Sequence, residues 1–209
     1  GHNKKYLNIK KNEHSSDIFL IEFHGWQCIH LLYSYVASIF SKKNCRIVAF
    51  ENYKIFQEKS GFLEKIRRQL GILLNVKYFG VFKSIGVSKF IFPQFDFKTK
   101  FKAEQITTNF LKLNPNLERL ENFKLAGVWI GDLIYDSYLK KYSCPTIDFK
   151  NEKFRSFFEH SICLFLFWDN YFKKNNVKGV IVSHSVYSSG IPIRIASKKK
   201  LPSLVFSRN

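Results

Sequence analysis

The sequence predicts an α/β fold in which helices flank a Rossmann-like, mainly parallel β-sheet. The first observation is that short apolar, β-branched runs alternate along the chain with longer segments of helical periodicity. The second is the run at residues 179–183, which has the composition of a buried parallel strand and precedes a polar segment, a helix and another strand. In parallel sheets built from such units, ligands bind beyond the carboxyl ends of the strands.

The individual elements follow from apolar spacing and from glycine and proline positions. We predict strands at residues 17–23, 45–50, 87–92, 179–183 and 203–206. We predict helices at residues 28–40, 55–74, 102–113, 131–139 and 151–174, and from about residue 192. Residues 95–101 are basic and aromatic, which predicts a loop, and residues 123–130 predict a short strand or extended segment. The helix at 55–74 is amphipathic, and we expect its apolar side to face the core, with an anionic membrane as the alternative.

Bulk composition limits the class of protein. A hydrophobic content of 45% in 209 residues supports a folded core, and we expect a tag remnant and loose N-terminus at residues 1–16 and one α/β domain at 17–209. The formal charge of +18 indicates an anionic partner or surface, unless it reflects a lysine-rich proteome. Four widely spaced cysteines, without a signal peptide or spanning run, predict a cytoplasmic protein, with peripheral contact at the inner membrane face as an extension.

Several motifs that would identify an enzyme class are missing from the sequence. There is no GxGxxG fingerprint, Walker A loop, GxSxG elbow, HExxH pair or CxxC pair. The sequence therefore gives no reason to expect a metal ion or a bound cofactor.

Candidate site residues lie where strands pass into helices. His24 follows the first strand and His184 a later one, so both are expected at one rim of the sheet, where histidine is a suitable general base. Asp132 and Asp136 share a helix face and are further candidates, although Asp132 is also a plausible helix cap and Asp136 a partner for lysine. Arg194 is placed to meet a phosphate or to form a buried salt bridge.

Three segments together resemble bacterial surface-polysaccharide (capsule and lipopolysaccharide) biosynthesis proteins, which are similar to GT-B-type glycosyltransferases. The segments are residues 23–26, 131–138 and 183–196. The resemblance implies the N-terminal, acceptor-side half of a GT-B fold, with the C-terminal domain apparently absent. It implies His24, Asp132 and His184 as catalytic candidates, and a substrate-binding set of Gly25, Trp26, Gly131, Tyr135, Asp136, Ser185, Tyr187 and Arg194.

The function expected from this resemblance is sugar transfer from a nucleotide-sugar donor to a glycan or lipid-linked acceptor, with the donor held by the absent domain. Peripheral contact with an anionic membrane fits the positive charge. A basic nucleic-acid-binding module and a non-catalytic scaffold of a polysaccharide assembly complex are the alternatives. The sequence argues against nucleic acid as a partner, because its aromatic residues follow core spacing and no recognised nucleic-acid motif occurs.

Overall fold

The computed structural model describes residues 12–23, 25, 27–51 and 62–206. In chain order its elements are β1 (Asp17–Glu22), α1 (Gln27–Lys42), β2 (Arg46–Phe50), α2 (Phe62–Leu73), α3 (Tyr78–Ser84), β3 (Val87–Ile91), α4 (Phe97–Lys112), α5 (Leu117–Glu121), β4 (Lys124–Leu125), β5 (Val128–Trp129), α6 (Gly131–Tyr142), α7 (Glu152–Lys174), β6 (Asn176–Val182), α8 (Gly190–Lys198) and β7 (Ser203–Val205). A 3₁₀ turn at Tyr187–Ser189 precedes α8.

The chain forms two compact units. Of the described residues, unit 1 comprises those within 12–92, 175–183 and 202–206, and unit 2 comprises 93–174 and 184–201. Unit 1 contains a five-stranded sheet of order β3-β2-β1-β6-β7 in which every neighbouring pair is parallel. The predicted α/β class with a mainly parallel sheet is therefore confirmed, and the strands β1 and β6, which precede His24 and His184, are parallel neighbours in that sheet.

The core of unit 1 lies between the sheet and the helices α1 and α3. Alternate residues of β1, such as Phe19 and Ile21, pack with Ile29 and Tyr33 of α1 and with Phe82 of α3. β1 is buried over almost its whole length because it lies at the centre of the sheet, which explains its continuous apolar run. The sequence did not predict α3, because Gly80 interrupts its apolar pattern.

The helix α2 differs from its prediction. Only residues 62–73 of the predicted helix 55–74 are seen as helix, and residues 52–61 lie outside the described part of the chain. Its leucines were expected to face the core, yet Leu63, Leu70 and Leu73 are exposed. The core-facing assignment is therefore wrong for this helix.

Unit 2 is built around α4 and α7. Phe110 of α4 stacks on Phe158 of α7 with ring centroids 4.5 Å apart, and the Arg155 guanidinium donates to Thr108 Oγ1 at 3.0 Å. The segment 95–101, predicted as a loop, contains the first turn of α4, because Asp96 caps the helix by accepting a 2.8 Å hydrogen bond from the Thr99 amide. Residues 124–129 form a short antiparallel hairpin.

No helix in the described part of the chain is both long enough and apolar enough to span a bilayer.

Candidate functional site

A buried carboxylate lies at the carboxyl edge of the sheet in unit 1. Glu22 ends β1 with only 2% of its surface exposed, and the amide and hydroxyl of Ser183 both donate to its Oε2 at 2.6 Å. Burial, followed by the charge of Glu22, raises the pKa of Tyr33. These donors stabilise the carboxylate away from water and fix the backbone where β6 ends, one residue before His184. Sequence reasoning missed this group, although an acidic residue ending an apolar strand was a visible signal.

The first predicted loop is described only in part. His24 and Trp26 lie outside the described residues, so their proposed roles stay predictions. Gly25 packs against Tyr78, since a Cβ added at Gly25 would lie 3.1 Å from the tyrosine ring.

In unit 2 the structure brings Asp132 and Arg194 together. The Arg194 guanidinium donates to Asp132 Oδ2 at 2.5 Å and lies 4.6 Å from the centre of the Trp129 ring. Both charged side chains are about one-quarter exposed. The sequence left a buried salt bridge as the alternative role for Arg194; the ion pair seen here is partly exposed, and the phosphate role stays a prediction. The other carboxylate oxygen of Asp132, Oδ1, is buried and has no hydrogen-bond partner among the residues that the structure describes.

The neighbouring residues of α6 differ in their surroundings. Asp136 lies at the surface, and loss of part of its hydration, followed by the charge of Asp132, raises the pKa of its carboxyl. Tyr135 is half-buried. Gly131 has no room for a side chain, because an added Cβ would lie 1.8 Å from the Leu120 carbonyl oxygen. Close packing against this backbone is therefore sufficient to explain why position 131 is a glycine.

The segment after β6 is polar and accessible. His184 and Ser185 are exposed, and Tyr187 adopts a left-handed backbone with φ of 57°. The Lys140 ammonium of α6 lies 4.0 Å from the centre of the Tyr187 ring, a cation–π contact. The structure thus joins α6 to this segment through Lys140 and Tyr187, whereas the trio of His24, Asp132 and His184 stays a prediction.

A second feature of unit 2 was not predicted. Phe97 and Phe101 lie one turn apart at the start of α4, with parallel rings 6.3 Å apart, and they are 83% and 51% exposed. Exposed lysines alternate with them. We call this set the Phe97–Phe101 surface; it consists of Phe97, Lys98, Lys100, Phe101, Lys102 and Lys174.

Electrostatics support the inclusion of Lys174. The hydrogen bonds from Thr99 lower the pKa of Asp96, and the charges of Lys98 and Lys174 act in the same direction. The end of α7 therefore adds positive charge near the start of α4. The sequence held the signal for this surface in its alternating lysine and phenylalanine residues, but their exposure was not predictable from spacing alone.

The potential for metal binding is limited in the described part of the chain. Among residues 12–23, 27–51 and 62–206 no three His, Cys, Asp or Glu side chains are grouped as a metal site would require.

An open groove of about 820 Å³ lies between α4, α5 and β4, and it is lined by asparagines together with Phe110, Arg119 and Phe123.

Comparison with known proteins does not place the chain in a family. No family model matches the sequence, and no curated protein matches it. The chain is similar to the solved structure of a cyclodipeptide synthase (CDPS) from Fluoribacter dumoffii, with 10% sequence identity and a TM-score of 0.48, over 91% of this chain and 88% of that one. A likeness at this level does not establish a shared activity.

These findings correct the family assignment made from the sequence. The solved structure is a cyclodipeptide synthase and not a glycosyltransferase, and no polysaccharide-biosynthesis protein is matched. The resemblance to GT-B glycosyltransferases and the expected sugar transfer in capsule or lipopolysaccharide synthesis are therefore wrong. The error arose because short segments such as residues 183–196 have the sequence pattern of a strand followed by a helix, which many α/β proteins share.

Proposed function

We propose that this protein binds single-stranded nucleic acid on the Phe97–Phe101 surface of unit 2. The observation that carries the proposal is the pair of exposed, parallel phenylalanine rings set among lysines. Proteins that bind single strands without sequence preference combine aromatic rings, on which bases stack, with cations that contact the phosphates. The sequence argued against nucleic acid on the ground that the aromatic residues occupy core positions, and Phe97 and Phe101 do not occupy such positions.

The remaining exposed side chains of α4 extend this surface along the helix. Lys98, Lys102, Gln105, Asn109 and Lys112 follow one another at helical spacing and are all exposed. The opposite side of α4 is buried against unit 2 through Ala103, Thr107 and Phe110. A strand bound at the two rings would therefore continue along a polar face with further cations. Glu104 and Asp96 are the acidic groups of this helix start, and Asp96 is occupied as the cap.

The charge of the whole chain fits the same partner. A net charge of +18 provides long-range attraction for a polyanion, and phosphate contacts supply much of the affinity of such complexes.

The cysteines Cys45, Cys144 and Cys163 are free thiols, which suits the reducing cytoplasm where we place the protein.

The first test separates stacking from phosphate contacts. Binding of a fluorescent oligouridylate of about twelve nucleotides to the full chain is followed by anisotropy at several salt concentrations. Phe97→Ala/Phe101→Ala should weaken binding by about tenfold or more at every salt concentration, because each stacked base contributes about 1–3 kcal/mol. Its salt dependence should stay unchanged, since no phosphate contact is removed.

The matched charge variants complete this test. Lys98→Gln/Lys102→Gln should weaken binding and reduce the slope of log affinity against log salt by about 1.4, or about 0.7 for each lost phosphate contact on a single strand. Lys150→Gln/Lys153→Gln removes the same charge from exposed positions outside the surface, so it should leave that slope almost unchanged. Equal effects of the two lysine pairs, or no effect of the phenylalanine pair, would refute the proposed site. Loss of vesicle binding without loss of oligonucleotide binding in Phe97→Ala/Phe101→Ala would assign the surface to a membrane instead.

A further inference from the structure

The helix α2 in unit 1 is attached to its unit by the face that carries Arg68, Gly71 and Ile72, and it presents its leucine-rich face to solvent. Leu63, Ile66, Leu70, Leu73 and Leu74 recur at the spacing of one helical stripe and are 37–79% exposed. A helix that contributes to a core does the reverse. The exposed apolar stripe therefore needs another explanation.

The contacts of α2 show that this orientation is specified by particular residues. The Arg68 guanidinium lies 3.3 Å from the Glu51 carboxylate and 5.0 Å from the centre of the Phe92 ring. Three residues later, Gly71 approaches the Phe79 ring so closely that an added Cβ would lie 2.9 Å from it. Lys83 of α3 donates to the Ile72 carbonyl near the end of α2. Arg68, Gly71 and Ile72 share the helix face directly opposite the leucine stripe, given 100° of rotation per residue.

Cations flank the apolar stripe. Residues 62–91 contain six lysines and arginines and one acidic residue. Arg67 borders the stripe on α2, and Lys77 follows the exposed Val76 just beyond the helix end; both cations are exposed. Long basic side chains beside an aliphatic stripe can keep their charged heads at a polar boundary while their stems cover apolar surface.

We infer that the leucine stripe of α2, together with Val76, docks on an anionic membrane surface. The apolar face of an interfacial helix enters the boundary between headgroups and acyl chains, while its basic residues bind anionic lipid headgroups. Charge complementarity favours this occupant over a protein partner. Protein interfaces concentrate Tyr, Trp and Arg in their cores, whereas this stripe is purely aliphatic and the exposed charges beside it, Arg67 and Lys77, are both positive.

The test uses the full chain and lipid vesicles. Flotation is measured with vesicles of phosphatidylcholine alone and with vesicles of three parts phosphatidylcholine to one part phosphatidylglycerol. Leu70→Gln/Leu73→Gln should reduce partitioning into the anionic vesicles by at least about tenfold, because two buried leucine side chains are lost from the apolar phase. The control Leu113→Gln/Leu204→Gln changes two exposed leucines outside α2 and should leave partitioning unchanged.

A second variant tests whether cations contribute to membrane binding, and thermal melting checks that the variants stay folded. Arg67→Gln/Lys77→Gln should lower binding to the anionic vesicles and not to phosphatidylcholine alone. Thermal melting should be nearly the same for all variants, since every substituted side chain is exposed. Unchanged flotation of both α2 variants would overturn the inference. So would a wild-type dimer in sedimentation that Leu70→Gln/Leu73→Gln converts to monomer without any vesicle binding, since the stripe would then be an interface between copies of this chain.

This inference is independent of the proposed function. It rests on α2 of unit 1, and the nucleic-acid proposal rests on α4 of unit 2. Leu70→Gln/Leu73→Gln should therefore bind the oligouridylate like wild type, whichever way the vesicle experiment turns out.

Discussion

Burial decides the behaviour of individual ionisable residues in this protein. Glu22 is buried, and the amide and hydroxyl of Ser183 both donate to its carboxyl oxygen Oε2. His160 is also largely buried, but it avoids the cost of a buried charge by losing its proton. Burial and the nearby charge of Lys141 lower the pKa of its imidazole to about 4. The Phe95 ring lies 5.3 Å from the imidazole of His160 and contributes to its apolar surroundings. The histidine is therefore neutral in the folded state at neutral pH.

This state of His160 predicts a dependence of stability on pH. The unfolded chain takes up the proton near pH 6.5, whereas the folded protein does so only near pH 4. Between these values the unfolded state binds more protons, so the free energy of unfolding falls as the pH falls. The loss reaches about 3 kcal/mol at most, at about 1.4 kcal/mol per pKa unit.

Urea unfolding of wild type and His160→Gln across this pH range measures the effect. The difference in stability between the two proteins should shrink or reverse toward acid pH, because glutamine does not titrate. His184→Gln, which changes an exposed histidine, serves as the control. Parallel curves for wild type and His160→Gln would contradict the assigned cause.

Individual residues also show how much of a site can be predicted from one sequence. Asp132 and Arg194 were both identified as candidates, because acidic and basic residues at helix starts are visible in the sequence. Their mutual ion pair was not predictable, since it joins residues 62 positions apart. Glu22 was missed because its strand was judged only by its apolar run, and its partner Ser183 is 161 positions away.

For whole elements, periodicity located the strands and helices better than it located their surroundings. The strands β1, β2, β3, β6 and β7 lie within two or three residues of their predicted positions. Apolar spacing shows which face of a helix is apolar but not what that face contacts, which is why α2 was assigned to the core. The start of α4 was missed because its composition was weighed above its cap, although Asp96 is a common N-cap residue.

The start of α6 provides a prediction at this scale. Gly131 lies against the backbone that links α5 to β4, and an added Cβ would meet three backbone atoms, at 1.8 Å for the Leu120 oxygen and 2.8 Å for two others. Backbone cannot move aside as a side-chain tip can, so Gly131→Ala should lower the free energy of unfolding by about 3 kcal/mol. The loss would come from the junction of α5 and α6 and not from a lost ligand contact.

Gly127→Ala is the informative comparison for this measurement. Its Cβ would meet only the end of the Lys198 side chain, which donates to the Ala126 carbonyl, and its φ of +72° adds backbone strain. We therefore expect a smaller loss, about 1 kcal/mol, in the same urea experiment. An equal or larger loss for Gly127→Ala would show that steric overlap at Gly131 is relieved by movement of α6.

For the whole molecule, the dominant property is its positive charge, which can be counted directly from the amino-acid composition. The formal charge of +18 arises because 34 lysines and arginines are balanced by only 16 aspartates and glutamates. The division into two units was not predicted. Unit 2 is formed by the long connection between β3 and β6, residues 93–174, together with residues 184–201. Hydrophobic patterning identifies such elements without indicating which of them pack together.

This charge predicts that salt stabilises the folded protein. Like charges repel more strongly in the compact state than in the expanded one, so a high net charge opposes folding. Salt shortens the screening length from about 30 Å at 0.01 M to about 10 Å at 0.1 M, which weakens that repulsion. The melting temperature should therefore rise by about 3 °C or more between these concentrations of sodium chloride, which corresponds to about 1 kcal/mol for a chain of this size. Lys150→Gln/Lys153→Gln lowers the charge without touching either proposed surface, so its melting temperature should depend less on salt. A melting temperature that stays constant or falls with salt in wild type would show that attractive pairs, such as Arg194 with Asp132, outweigh the repulsion.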